Sequence, residues 1–312
     1  MDRSDLQLAL TLLESSRLPY SELADRLNMS VNAAHKRLQA LIQEGIIRVF
    51  TAKISLFALH ALHVIVFGKS EATSFDEVRT QLGSYEATYW VAIAGGNYLY
   101  VGAYLRNIEE LEPFVAFVRT HALMADATVG IEAPPAVSPR GSLPRETALS
   151  ALDYQIIYAL RTDARKHVSE VAAEIGVSAK TVQRRLQKMM RDSSIELSIQ
   201  WYPDASNDIM TTLHLYLATS ADKGSVGQLL KTAYGLNLIF YWSFSNLPTL
   251  LLGVVWTNTM KELRDIRERL EREEVFDSVV PNVLYTGYIF DTWRDTLVLE
   301  RGVPTRSTRK RD

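Results

Sequence analysis

Two short stretches of this chain carry basic and amide side chains at spacings suited to reading a charged, hydrogen-bonding polymer. After Ser30 come Asn32, Ala33, Lys36, Arg37 and Gln39, and after Ser178 come Lys180, Thr181, Arg184, Arg185, Gln187 and Lys188. Within them Ala34, Leu38 and Leu41, and likewise Val182, Leu186 and Met189, recur at i, i+4 and i+7, the pattern of a helix with one inward face. The outward face then offers arginine, lysine and asparagine, the side chains that pair with base edges and with phosphates. The chemistry indicated is recognition of duplex DNA. A solvated basic face or a protein-docking face has the same pattern in isolation, so the surroundings must decide.

Those surroundings are a second helix and a tight turn. Leu23, Ala24 and Leu27, matched by Val171, Ala172 and Ile175, define one apolar face of the preceding helix. It ends at Asn28 or Gly176, the two residue types that most readily enter the left-handed conformation. Ser30 or Ser178 then stands where the N-cap of the next helix belongs. This is a helix-turn-helix, and it occurs twice: Asp5 to Ile47 aligns without a gap with Asp153 to Ile195, with identities that include Asp5/Asp153, Arg17/Arg165, Ser30/Ser178 and Arg37/Arg185. The expected DNA-contacting set is Ser30, Asn32, Ala33, Lys36 and Arg37 in the first head, and Ser178, Lys180, Thr181, Arg184, Arg185 and Lys188 in the second. Residues of the first turns reach bases, and Arg37 and Arg185 sit nearer the phosphates.

The duplication extends beyond the heads. Residues 134–147, rich in proline, glycine and serine, read as a linker between two halves. Ile195, Leu197, Ile199 and Trp201 alternate with polar residues as a strand, and Ile47, Val49 and Ile54 suggest a rougher equivalent. Each half then spells strand, helix, strand, strand, helix, strand, the ferredoxin-like plan. In the first half the second and third strands flank a Gly95-Gly96-Asn97 turn. Leu250 to Val255 is apolar on both faces, so the side of the sheet without helices should pack on another sheet. The expected fold class is α+β, with two winged helix-turn-helix heads and two ferredoxin-like βαββαβ effector-type domains, internally duplicated. The expected divisions are 1–55, 56–133, the linker 134–147, 148–203, 204–292, and a basic tail over 293–312. In that tail, Arg306, Arg309, Lys310 and Arg311 should add nonspecific phosphate contacts.

Composition narrows the remaining chemistry. The chain has 312 residues, 47% of them hydrophobic, and a formal charge of -2, so basic stripes must be local. It has no cysteine, which removes disulfides and thiolate chemistry and suits a reducing cytoplasm. The opening MDRSDLQL lacks signal-peptide form, and no apolar run is long enough to span a bilayer, so no membrane partner is expected. His60 and His63, three apart on an expected strand, face opposite ways, and no carboxylate accompanies the other histidines at ligand spacing. No catalytic residue, metal site or cofactor is assigned.

With the heads, the turn and the repeat in view, the chain resembles the leucine-responsive (feast/famine, Lrp/AsnC) transcription regulators. The resemblance lies in Asp5 to Leu12 and Asp153 to Leu160, in Ser21 to Ala24, in the serine opening the third helix, in Gly45 to Ile47, and in the ferredoxin-like segment. It implies a fused internal dimer of units that ordinarily pair as separate chains, and hence a partner for the apolar sheet face. It further implies double-stranded DNA as partner, a small-molecule effector such as an amino acid near Gly95, Gly96, Asn97 and Tyr98, and further homo-oligomerisation of the pseudo-dimer. The second half, with Ser245, Asn246, Leu247 and Pro248 at the equivalent place, lacks the glycine. One enzyme family, the sirohaem decarboxylases, shares this architecture and is the alternative. Its His-Asn-Tyr element is missing from Ala87 to Trp90 and from Leu238 to Tyr241.

Overall fold

The computed structural model describes residues 1–132, 148–206 and 208–303. The expected linker 134–147 and the cationic residues Arg306 to Arg311 lie outside them. In the first head, α1 (Arg3–Glu14), α2 (Tyr20–Arg26) and α3 (Val31–Gln43) lead into β1 (Ile47–Ile54). In the second, α6 (Ala151–Leu160), α7 (Val168–Ile175) and α8 (Ala179–Arg191) lead into β6 (Ile195–Trp201). Both first helices open with a capping box, Asp2 with Asp5 and Ser150 with Asp153. Thus the repeated aspartate of the sequence is a helix-starting residue.

The strand that leaves each head does not fold back on its own head. β1 and β6 pair with each other, antiparallel, from Ile47 opposite Trp201 to Ile54 opposite Ile195. Their buried sides are exchanged: Ile199 and Trp201 complete the first head's core around Leu6, Leu12 and Leu38, while Ala52 and Ile54 enter the second head's core around Ile156, Leu160 and Leu186. Neither head can leave the other without exposing these residues. Burial of one large apolar side chain is worth about 1.5–3 kcal/mol.

Below the heads, the first half supplies β2 (Leu62–Lys69), α4 (Phe75–Gly83), β3 (Thr88–Ala94), β4 (Tyr98–Leu105), α5 (Leu111–His121) and β5 (Thr128–Ile131). The second supplies β7 (Ile209–Leu217), α9 (Lys223–Tyr234), β8 (Leu238–Ser243), β9 (Leu250–Thr257), α10 (Met260–Leu270) and β10 (Phe276–Ile289). The strand order is β5-β2-β4-β3-β10-β7-β9-β8, two ferredoxin-like sheets joined edge to edge. β10 makes the join: Phe276 to Val283 pair with β7, and Leu284 to Ile289 continue along β3. At the opposite edge the equivalent contact is shorter. Glu132 bridges Phe244, and the Asn246 side chain accepts from Ile131 N at 2.8 Å and donates to Val129 O at 2.7 Å.

The faces without helices pack on each other. Ile65, Phe67, Ala92 and Tyr100 of one sheet meet Phe244, Leu250 and Leu252 of the other. Phe67 stacks on Phe244 at 6.2 Å between ring centroids, and Trp90 lies 5.8 Å from Trp242. Gly130 is required here, because a Cβ would come within 2.5 Å of the Phe244 ring. The apolar run of β9 is thus explained: one face meets α9 and α10, and the other meets the first half's sheet through Leu250 and Leu252 and the first head's core through Val254 and Trp256.

Two local expectations change. His60 is not on a strand; it sits in a turn with φ of 51°, and β2 begins at Leu62. Residues 293–302, expected in the tail, form α11 (Trp293–Gly302), capped by Thr292 and lying against α6. The Gly302 position touches Tyr158 and the Tyr154 carbonyl, too close for a Cβ. The amphipathic content of this segment, with Trp293, Leu297 and Val298 inward, was the signal the basic residues beyond it obscured.

Candidate nucleic-acid interface

Each reading helix is placed by the turn chemistry that the sequence specifies. Asn28 has φ of 51° and Gly176 of 70°, both left-handed. Ser30 Oγ then accepts from Ala33 N, and Ser178 Oγ from Thr181 N, each at 3.2 Å. Ala34, Leu38 and Leu41 are buried, as are Val182, Leu186 and Met189, so the opposite side of each helix is solvent-facing. Asn32, Lys36, Lys180 and Arg184 are exposed, with Ala33 and Thr181 half-buried beside the caps. Lys36, Lys180 and Arg184 form no ion pair among the described residues. The arrangement therefore offers exposed cations and one amide on two helices joined through the β1–β6 ribbon.

Arg37 and Arg185 are half-exposed and also meet carboxylates of their own heads. Arg37 donates to Asp2 at 2.7 Å and to Asp5 at 2.6 Å, and these carboxylates raise its pKa. Arg185 lies 3.5 Å from Asp153, itself 4% exposed. Each guanidinium thus ties the third helix of its head to the start of the first while staying half-exposed. The alignment of Asp5 with Asp153 and Arg37 with Arg185 contained this pairing, since co-occurring opposite charges one helix apart are the signal. Lys188, in the expected set, lies 3.3 Å from Asp192 on its own helix and remains partly exposed.

The heads are fixed to each other by further contacts. Arg17 donates to Lys166 O at 3.0 Å and to Ala164 O, while Arg165 donates to Ser16 O at 2.7 Å. Arg165 also lies over the Tyr20 ring at 4.9 Å. At the second head α11 clamps the ribbon: Arg294 donates to Ile54 O at 3.1 Å and to Glu196 at 2.8 Å, and Lys53 pairs with Asp295 at 2.7 Å. Burial opposes the Arg294 charge, yet Glu196, Tyr104 and Asp295 raise its pKa.

The expected effector residues stand apart from the heads. Gly95–Asn97 forms a single 3-10 turn, with left-handed Gly96 and Asn97 at the surface and Asn97 O accepting from Ser70 N at 2.8 Å. Tyr98 turns inward, 5.4 Å from His214 across the sheet interface, and burial pushes its hydroxyl up to about 12. A cavity of about 400 Å³ lies elsewhere, between the ribbon and the two sheets, lined by Trp90, Trp201, Phe240, Trp242, Leu284 and neighbouring residues. None of Gly95 to Tyr98 lines it. Among the described residues no helix is long and apolar enough to cross a membrane, and no three metal-ligating side chains cluster.

The geometry defines a class: a duplicated winged helix-turn-helix protein whose heads surmount two fused ferredoxin-like domains. Residues 149–190 match the AsnC-type helix-turn-helix domain, and residues 1–48 match a winged helix-turn-helix DNA-binding domain. The chain is 37% identical over 99 residues to the HTH-type transcriptional regulator PH0061 of Pyrococcus horikoshii, covering 31% of this chain and 67% of that protein. It is 27% identical over 117 residues to the regulator FL11 of Pyrococcus abyssi, 37% of this chain and 78% of that one. The chain belongs to the Lrp/AsnC family of HTH-type transcriptional regulators, as a tandem fused duplication. Its overall fold also resembles the sirohaem decarboxylase NirDL, with a TM-score of 0.61 at 12% identity over 95% of this chain and 98% of that one. That likeness concerns the fold alone.

Proposed function

We propose that this protein is a sequence-specific regulator of transcription that grips duplex DNA as a built-in dimer. The observation that carries the reading is the pair of reading helices, with Lys36, Lys180 and Arg184 exposed, joined through the shared β1–β6 ribbon. The reading-helix contacts we assign are Ser30, Asn32, Ala33 and Lys36, and Ser178, Lys180, Thr181, Arg184 and Lys188. Arg37 and Arg185 act behind them. Its compartment is the cytoplasm, in keeping with a cysteine-free DNA-binding chain. Fluorescence anisotropy on genomic fragments selected by the protein tests the reading. We expect specific binding that weakens steeply with salt and is lost in a Lys180→Ala/Arg184→Ala variant; equal binding by that variant overturns it.

The effector part of the reading rests on family membership. Gly96 and Asn97 lie at the surface, where a neighbouring pseudo-dimer would complete a site for an amino acid. Calorimetric titration with free amino acids, alongside sedimentation to follow assembly, tests both at once. Heat and a change of mass that both persist in a Gly96→Val variant would remove the turn from the account.

We read the chain as a regulator and not as a tetrapyrrole enzyme. A tetrapyrrole bearing several carboxylates needs cations around it, and among the described residues Asp208 is the one charged residue lining the cavity. Asp208 is itself paired with the Met1 ammonium at 2.9 Å.

A further inference from the structure

The cavity between ribbon and sheets is walled by the two halves together. Tyr89, Trp90 and Ala92 come from β3, Phe240 and Trp242 from β8, Gly287 and its neighbours from β10, and Ile199 and Trp201 from the ribbon strand β6. Its volume of about 400 Å³ falls in the range of small-molecule sites. Its rings are preordered: Trp90 lies 5.8 Å from Trp242 and Phe240 lies edge-on to Trp242 at 4.8 Å. The indole N–H groups of Trp90 and Trp242 donate to no acceptor among the described residues. Among the described residues no lysine, arginine or histidine lines the space, and the Asp208 charge is already matched.

We infer that this cavity binds an uncharged planar aromatic molecule carrying a hydrogen-bond acceptor, a different ligand class from the amino acid of the surface turn. Three features select it. Aromatic walls favour a flat apolar body in offset or edge contact. The two indole N–H groups supply donors for a carbonyl or ether oxygen. A free amino acid would have to bury a carboxylate with no cation of the described residues beside it, which burial of an ionised group disfavours. The bound molecule would touch Trp201, which pairs with Ile47 at the foot of the first reading helix. As an effector site the cavity deepens the regulator reading, but occupancy itself does not depend on DNA.

The test is a titration without DNA. The probe is prodan, an uncharged planar naphthyl ketone whose emission moves to the blue in apolar surroundings. We expect saturable binding with one site per chain and a blue shift. Gly287→Leu should abolish it, because a Cβ there meets Trp90 Nε1 at an ordinary 3.5 Å and the longer side chain fills the cavity. Trp90→Phe and Trp242→Phe keep the walls but remove a donor, and the tighter donor of the two should cost about three- to tenfold in affinity. Free leucine or phenylalanine should displace nothing. Absence of saturable binding by the wild type, unchanged binding by a folded Gly287→Leu variant, wild-type affinity in both tryptophan variants, or displacement by the amino acids would each overturn the proposal. Because DNA is absent, none of these outcomes can be confused with failure of the reading helices.

Discussion

Arg17 and Arg165 hold equivalent places in the two copies, and each reaches out of its own head into the other. Arg165 donates to the Ser16 carbonyl at 2.7 Å, and Arg17 to the Lys166 carbonyl at 3.0 Å. The exchange is what a two-fold dimer would make between separate chains, retained after fusion. Burial lowers the Arg17 pKa, Asp163 raises it, and Arg165 lowers it again, so two cations share one junction. They are held there because each satisfies carbonyls that would otherwise face the junction unpaired.

Removing both guanidiniums should therefore loosen the heads relative to each other. Hydrogen bonds from charged donors contribute about 1.5–3 kcal/mol. We expect the Arg17→Ala/Arg165→Ala variant to lose stability of that order in urea denaturation. Its affinity for a full operator should fall more than its affinity for one half-site. Unchanged values for both would assign the junction to the ribbon alone.

We expect Arg37 and Arg184 to separate bracing from contact. Arg37 is engaged by Asp2 and Asp5, whereas Arg184 is exposed and forms no ion pair among the described residues. Arg184→Ala should reduce the slope of log affinity against log salt by about 1, the value for one lost phosphate contact, or relax preference at one base if it reads an edge. Arg37→Ala should leave slope and preference alone and lower the melting temperature. A reduced slope with an unchanged melting temperature would return Arg37 to the DNA surface.

His214 makes the sheet interface sensitive to acid. Its Nε2 lies 2.7 Å from the Tyr100 hydroxyl, to which Asn282 donates at 2.9 Å, and burial pushes the imidazole down to about 4 from 6.5. The folded protein thus holds His214 neutral, accepting from Tyr100, while the unfolded chain takes up a proton below 6.5. Stability from this group is complete above pH 6.5 and falls as pH drops towards 4, by about 3 kcal/mol over the whole interval. Denaturation followed at several pH values should show that fall in the wild type and a smaller one in His214→Gln. Equal pH dependence in the two would place the acid sensitivity elsewhere, with Asp295 the next group to examine. Its carboxyl, which burial alone would raise, is held low by Lys53 and loses that contribution only at more acid pH.

What the sequence displayed and what it hid follow from the range of the interactions. The left-handed Asn28 and Gly176, the serine caps and the inward stripes are local, and each was legible in a window of a few residues. The strand-helix pattern of both halves was legible for the same reason, and the doubly apolar Leu250 to Val255 announced a second sheet. Pairing of β1 with β6 was not, since Ile47 and Trp201 are distant in sequence and either strand alternates equally well in a hairpin of its own head. The ion pairs that Arg37 makes with Asp2 and Asp5 depend on where those carboxylates arrive from another helix. The cavity arises from Trp90, Trp201 and Trp242 on three separate strands, which no single stretch brings together.

Fusion also bears on the shape of the operator. In a dimer of identical chains both reading helices carry the same residues, so the preferred site is a palindrome. Here the ribbon and the Arg17–Arg165 exchange preserve dimeric geometry, while the reading surfaces have diverged: Asn32, Ala33 and Lys36 on α3 stand where Lys180, Thr181 and Arg184 stand on α8. Asparagine pairs best with adenine, and arginine and lysine with guanine. Among the described residues α11 braces the second head, through Arg294 and Lys53–Asp295. We expect an asymmetric operator whose half-site under α8 is richer in guanine and contributes more of the affinity. Selection from random duplexes should recover it, and transplanting Lys180, Thr181 and Arg184 onto positions 32, 33 and 36 should shift the recovered site towards symmetry. Recovery of a perfect palindrome by the natural chain would mean that like heads from two chains are paired on DNA, and the fused pair would then no longer be the reading unit.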